Sequence, residues 1–521
     1  MTQQLPERAN LEQLRKQAKS LLHAAHAQDP AALERFRAIP AVAQPQSAEG
    51  LALHNAQFVI AREYGFKSWN DLREHVEERS LSFDAAVEEF VRSATGDARA
   101  RALRLLELHP GIARANLFTE LVLGDDAAVD ARLKAYPDAV RQSGGPQSWE
   151  PLLYVCHTCL HRESPDRAAG LVKIARELIR RGADANTEYH WNWHPELPRT
   201  ALWGALVAMG HALLAEVLLE AGANPTDGVS THIAAGVGNL QALELLHRFG
   251  MNANGIPEGV PPLRYIMTWA TTSAEGVRWL LEHGADPNLA WAEHGDAPLH
   301  VAAQRWNVAM VELLVSHGAD IHQRRSDGRT PHNIASIYGN QEIVAWLLEH
   351  GAKDELTQFE HFLSACTRGD RPRASAMLAE HTGMRSELRT EHHLMLQVPA
   401  ERGDTRVLET MLACGFDPNT PDHDGVTPLH RAAMAGKSEA VRVLLAGGAS
   451  ANALDGMFAG NPLLWTCEGW SHAQSDADHL AVARLLLAAG SPREWTPPEK
   501  TPNPERTLEL LADLCRAADS V

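Results

Sequence analysis

Apolar positions along this chain fall into short helical stripes that come in pairs. Val311, Leu313 and Leu314, and again Val441, Leu444 and Leu445, lie at the spacing of one helix face. Each such helix closes on a small-residue pair after two adjacent apolar residues, as Leu280-Leu281 precedes Gly284-Ala285 and Leu347-Leu348 precedes Gly351-Ala352; Gly182-Ala183, Gly222-Ala223, Gly318-Ala319 and Gly448-Ala449 repeat the pattern. Ahead of the stripes a second kind of helix is predicted. Ala297-Pro298-Leu299-His300 runs into Val301-Ala302-Ala303, Thr330-Pro331-His332 into Ala335 and Gly339, and Thr427-Pro428-Leu429-His430 into Ala432-Ala433 and Gly436. Thr330 can cap this helix and Pro331, with no N–H to lose, can open it with φ already set. Small residues let it sit close to a neighbour, and Gly339 or Gly436 ends it. His300 and His430 are expected to bond local backbone.

Pro298 and Pro331 stand 33 residues apart. One helix pair of that length buries too little to fold alone, so stability has to come from stacking on neighbours. Period and residue pattern together resemble ankyrin repeats. The resemblance implies an all-α solenoid of helix pairs with short hairpin-like finger turns, acting as a scaffold that holds a protein partner on its finger tips and on the exposed, concave side of each first helix. Carried onto this sequence, that surface is Gln304, Arg305 and Trp306 after Ala302-Ala303, Ile337 and Tyr338 after Ala335, and Met434 after Ala432-Ala433, with Trp306 replacing the usual glycine.

The pattern divides the chain. Residues 1–80 do not follow the repeat: Leu11, Leu14, Ala18, Leu21, Leu22 and Ala25 form one stripe, Asp29-Pro30 starts a second helix, a third runs from Ala48 to Tyr64, and Ser68-Trp69 opens a fourth. This small helical module resembles a segment that precedes ankyrin arrays in some bacterial proteins. Degenerate repeats are read over 82–148, regular ones over 149–354, degenerate ones again over 355–424, regular ones over 425–498, and a capping helix over 499–521, with about twelve units in all. The eroded middle, where Gly369-Asp370 and Gly403-Asp404 lie 34 residues apart, is expected to be a softer joint.

Departures from the repeat nominate further residues. The finger from Gly182 to Ala201 spans 19 residues against 13 from Gly318 to Pro331, and it holds Tyr189, His190, Trp191, Trp193 and His194. If extended, it sets Trp191 and Trp193 on one face, as binding anchors or as a lid on the flanking units. Trp291, Met457 and Phe458 at other finger positions join the candidate surface. Longer links at Arg162 to Arg167 and Ser471 to Asp478 are expected to protrude as solvated loops.

Charge and chemistry narrow the function. A net charge of −18 over 521 residues argues against nucleic acid. No stretch of about 18 apolar residues and no signal-like start is present, and six scattered cysteines fit a reducing cytosol, so a cytoplasmic monomer is expected. Cys156, Cys159 and His161 form the one metal-like constellation; it is incomplete, so no metal or cofactor is expected, although a metal-dependent regulator or enzyme built on it is the alternative reading. A second alternative makes residues 8 to 80 an effector module controlled by the array. No catalytic motif occurs, and a non-catalytic interaction scaffold is the expectation.

Overall fold

The computed structural model describes residues 5–6, 9–39, 51, 53–96, 98–191, 194–256, 259–269, 273–291, 295–381, 383–471, 478–498 and 504–519. Among them the secondary structure is helical apart from one two-stranded sheet. They form two compact units, Met1–Ala285 and Asp286–Val521.

In the first unit α1 (Leu11–His26), α2 (Pro30–Arg37), α3 (Leu53–Glu63) and α4 (Trp69–Ser80) enclose a core of their own, with Leu14, Leu21, Phe36, Ile60 and Leu72 at its centre. Asp29 caps α2 through the Ala31 N–H at 2.8 Å, and Ser68 caps α4 through that of Asp71 at 3.1 Å. Helix pairs follow: α5 (Phe83–Ala94) with α6 (Arg99–Leu108), α7 (Leu117–Leu123) with α8 (Asp126–Ala135), and α9 (Pro151–His157) with α10 (Pro165–Arg180). Glu78 of α4 is fully buried and accepts from Arg104 of α6 at 2.6 Å, so a charge-assisted bond ties the first four helices to the pairs that follow. The link after α9 is a 3-10 turn, Cys159–Glu163, and Arg162 donates to the Met209 carbonyl at 2.9 Å; the expected solvated loop is folded here because that side chain reaches the next pair. The corresponding residues 472–477 lie outside the described set.

The long finger is a hairpin of β1 (Glu188–Trp191) and β2 (His194–Thr200), antiparallel, with an irregularity between His190 and Trp191. It leads into α11 (Ala201–Trp203), which continues as a π-turn over Gly204–Ala208. A side chain on Gly204 would stand 2.3 Å from the buried His157 ring. The unit closes with α12 (Ala212–Glu220), α13 (Ser230–Gly236), α14 (Leu240–Arg248), α15 (Pro262–Trp269) and α16 (Ala274–Glu282).

The second unit holds α17 (Pro298–Arg305) with α18 (Val308–Ser316), α19 (Pro331–Ile337) with α20 (Gln341–Glu349), and α21 (Gln358–Thr367) with α22 (Arg371–Glu380). Short α23 (Met384–Glu387), α24 (Thr390–His393) and α25 (Gln397–Arg402) then precede α26 (Thr405–Cys414). Last come α27 (Pro428–Met434) with α28 (Ser438–Ala446), α29 (Pro462–Ser471) with α30 (His479–Ala488), and α31 (Pro504–Asp519). One core runs from Ile337 and Phe362 through Met395, Leu408 and Leu429 to Leu514. The eroded stretch therefore shares its interior with the regular helices on either side.

Polar groups set the stacking. His300 accepts from the Ala297 N–H at 3.2 Å through Nδ1 and reaches the Gln323 and Arg329 carbonyls of the next finger at 3.1 and 3.3 Å through Nε2. His430 repeats this with Thr427 and Gly460, both at 3.1 Å. The motif histidine thus fastens its own helix start and the following turn. At finger bases an asparagine bridges to the next helix end: Asn186 donates to the Gly222 carbonyl at 3.1 Å and Asn254 to that of Gly284 at 3.2 Å. Second helices end on glycines such as Gly318, φ +94°, and Gly448, φ +91°, with open space where a Cβ would point.

Candidate partner-binding groove

The site begins with Trp306. Other first helices of this unit end on a left-handed glycine, such as Gly339 at φ +77° and Gly403 at +80°. Tryptophan disfavours that conformation, and the chain leaves α17 extended instead, φ −106° and ψ −170°. The Trp306 carbonyl then accepts from Asn340 Nδ2 at 2.9 Å, and α20 starts without a side-chain cap on its backbone.

Beside this turn lies a groove of about 380 Å³ in the second unit, walled by Gln304, Arg305, Trp306, Tyr338, Met395 and Val398, with Arg402 and Asp404 at its far side. In the pair that supplies its far wall, the first helix is broken into α24, a 3-10 turn at Leu394–Leu396 and α25. An unbroken helix would place its side chains at regular spacing; this one presents Met395 and Val398 to the groove, Val398 being 39% exposed. The size is that of a site for one or two side chains of a bound molecule.

Two of its polar groups, on Tyr338 and Arg402, are unengaged among the described residues. The Tyr338 hydroxyl makes no hydrogen bond among the described residues, and burial pushes its pKa above the ordinary tyrosine value. Arg402 is exposed and without an ion pair among those residues. The groove's lining mixes polar groups, Glu342 and Asp404 among them, with the apolar faces of Trp306, Met395 and Val398, a combination suited to a peptide segment.

Of the nominated residues, Gln304, Arg305, Trp306 and Tyr338 converge here. Ile337 does not: it is 3% exposed and belongs to the core, because the helix face one residue before Tyr338 turns inward, and its place on the surface is corrected. Met434, 42% exposed, ends α27, and its carbonyl accepts from His479 Nε2 at 2.9 Å. Trp291 stands half-exposed at a finger turn. Met457, 41% exposed, and Phe458 both donate backbone N–H groups to Asp455, at 2.8 and 2.7 Å, and the Phe458 carbonyl accepts from Trp495 at 3.0 Å. In the first unit the Tyr189 ring packs tilted against Trp149, centroids 4.3 Å apart, and meets His157 at 5.3 Å, so it folds back on the helices. His190 is exposed, 3.6 Å from Glu188. Trp191 pairs with His194 in the hairpin register, and Trp193 lies outside the described residues. Met395, Val398 and Arg402 were missed; the Gly403-Asp404 mark beside them was legible, yet no motif told which neighbours faced outward.

The metal-like constellation is dispersed. Cys156 is buried and its thiol pKa is driven up by burial. Cys159 lies against the Ser93 carbonyl at 3.9 Å, and His161 bonds the Thr158 carbonyl at 3.0 Å and packs on His211. Among the described residues the one group of three potential ligand atoms within 4.8 Å of each other is Asp422, His423 and Asp424. There Asp422 is engaged by Arg431 at 3.1 Å and by the Asp424 and Val426 N–H groups, so it serves the finger turn.

Comparison with known proteins follows the same lines. Residues 290–358 and 393–493 match the family of ankyrin repeats. The nuclear factor NF-kappa-B p105 subunit of Gallus gallus is 29% identical over 254 residues, 47% of this chain and 24% of that protein. SH3 and multiple ankyrin repeat domains protein 2 of Homo sapiens is 31% identical over 178 residues, 33% of this chain and 10% of that one. The 2-5A-dependent ribonuclease of Mus musculus is 51% identical over 61 residues, 12% of this chain and 8% of that protein. The chain spans a quarter or less of the length of each. No helix among the described residues is long and apolar enough to cross a membrane.

Proposed function

This chain is an ankyrin repeat protein, and from that premise we propose that it is a non-catalytic scaffold which holds a protein partner by a segment laid in the groove beside Trp306. Ankyrin repeats in general mediate contacts between proteins. The observation that carries the reading is the convergence of Trp306, Tyr338, Met395 and Val398 on one cavity that the chain's own side chains leave unfilled. Aromatic and methionine side chains around a pocket are the usual anchors of such contacts. The fold supplies an open groove and few converging acid–base groups, which suits holding rather than converting a ligand.

The test replaces Trp306 by a photo-crosslinking phenylalanine analogue and irradiates the protein in soluble lysate, with the same probe at exposed Glu349 as the control. A protein crosslinked from position 306 alone, whose binding to the purified chain weakens about tenfold or more on Trp306→Gly while thermal unfolding is unchanged, supports the scaffold reading. Equal crosslinking from both positions, or undiminished binding to the glycine variant, removes it.

A further inference from the structure

The rim of the groove continues into a row of cations. Turns joining the helices of three successive pairs stack on one another. Arg406 lies over the turn glycine Gly369 and its Nε donates to that carbonyl at 3.0 Å, while the stem of Lys437 lies 3.2 Å from where a Cβ of the next turn glycine, Gly403, would stand. Arg368 and Arg371 stand on the first of these turns, Arg402 and Arg406 on the second, Lys437 on the third; the four arginines are exposed. Arg368, Arg371, Arg402 and Lys437 form no ion pair among the described residues. The acids on the same turns are largely engaged: Asp370 caps the Arg373 N–H at 3.2 Å, Asp404 that of Val407 at 3.3 Å, and Glu439 pairs with Arg442, with Glu401 exposed beside Arg402.

In a chain of net charge −18, unpaired cations gathered on consecutive turns beside an open groove are a directed feature. We infer that groove and row together receive an acidic, extended polypeptide segment. Its apolar side chain enters between Trp306 and Val398, and its carboxylates meet Arg371, Arg402 and Lys437 in turn. Packed helices lie about 10 Å apart, and three residues of a chain extended as polyproline II span about 9 Å and return the side chain to the same face, so acids at every third position keep step with the turns. A nucleic acid would bring its phosphates to a strongly anionic chain, whereas a peptide can pair a short acidic stretch with an apolar anchor. This inference rests on the groove being the partner site.

A displayed library of random dodecapeptides, selected on the intact chain, tests it. Retained peptides are expected to carry Asp or Glu at every third position next to one large apolar residue. They should bind about tenfold more weakly to Arg402→Glu/Lys437→Glu and more weakly still at high salt. Arg402→Gln and Lys437→Gln, milder at the fold, should each give part of the loss, with circular dichroism unchanged. Neutral or basic peptides that depend on Trp306 would overturn the acidic occupant and leave the groove reading standing. If no retained peptide senses Trp306→Gly, both fall. A single-stranded oligonucleotide binding as tightly as the best peptide, and equally sensitive to the charge reversals, would overturn the polypeptide assignment.

Discussion

Asn288 joins two neighbouring finger bases with one side chain: its Nδ2 donates to the Gly318 carbonyl at 2.8 Å and its Oδ1 accepts from the Asp320 N–H at 2.8 Å. Asn419 does the same for Gly448 and Ser450, at 2.9 and 2.7 Å. Four residues after Gly318 and Gly351, where the next bridges would start, stand His322 and Glu355 instead. Asn288→Ala should cost about 1–2 kcal/mol in urea unfolding, since water replaces both bonds in part, and Asn288→Asp should lose mainly the donated one. Native-state hydrogen exchange should find α21 to α25 opening at lower free energy than α17 to α19. Uniform protection across the second unit would show that the missing bridges do not matter.

Gly170 lies inside α10, where helix propensity favours alanine by about 1 kcal/mol. A Cβ there would stand 2.0 Å from the Gly124 carbonyl oxygen. The backbone of α10 has to move away from the turn after α7, so Gly170→Ala is expected to destabilise by about 1–3 kcal/mol despite its better propensity. A raised melting temperature would contradict the close approach.

His157 is buried, and desolvation lowers its pKa to about 4 from an ordinary 6.5. The folded state then binds fewer protons than the unfolded chain, so stability rises with pH. It is complete above about pH 6.5 and declines as pH falls towards 4, by up to about 3 kcal/mol from this residue. His300 and His430 are shifted the same way by burial. His157→Phe should flatten the decline in denaturation series run between those pH values; an unaltered slope would place the sensitivity elsewhere.

Glu78 meets Arg104 with no exposure of its own, although the arginine side chain is 38% exposed. Glu78→Gln should cost about 3 kcal/mol, near the lower end for breaking a buried pair because water reaches Arg104. Removing residues 1–80 exposes the same arginine and the α5–α6 face. A sharp loss of thermal stability would mark the first four helices as a cap; an intact melting curve would leave room for them as a separately acting module.

Much of this was written in the residues. Helix starts at Pro298, Pro331 and Pro428 and ends at Gly318 and Gly448 are local backbone requirements, so single residues declared them. About twelve units were expected, and twelve helix pairs occur among the described residues. The groove was half legible. Trp306 stood out because it breaks a glycine rule, and Tyr338 because it follows a small-residue helix, but Ile337 beside it points inward. Met395, Val398 and Arg402 depend on a broken helix whose facing is set by the neighbours it packs on, which no local pattern records.

At Gly318 and Gly448 nothing lies within 4 Å of the missing Cβ, although φ is +94° and +91°. Handedness, and not room, reserves these positions. A mirror-image residue would sit there without strain: D-alanine introduced at Gly318 by chemical ligation should match or exceed glycine, since it also restricts the unfolded chain, while L-alanine at the same place should cost about 1 kcal/mol. These reversals are thus written in chirality, and a synthetic version could be stiffened at Gly318 and Gly448 without touching a single packed atom.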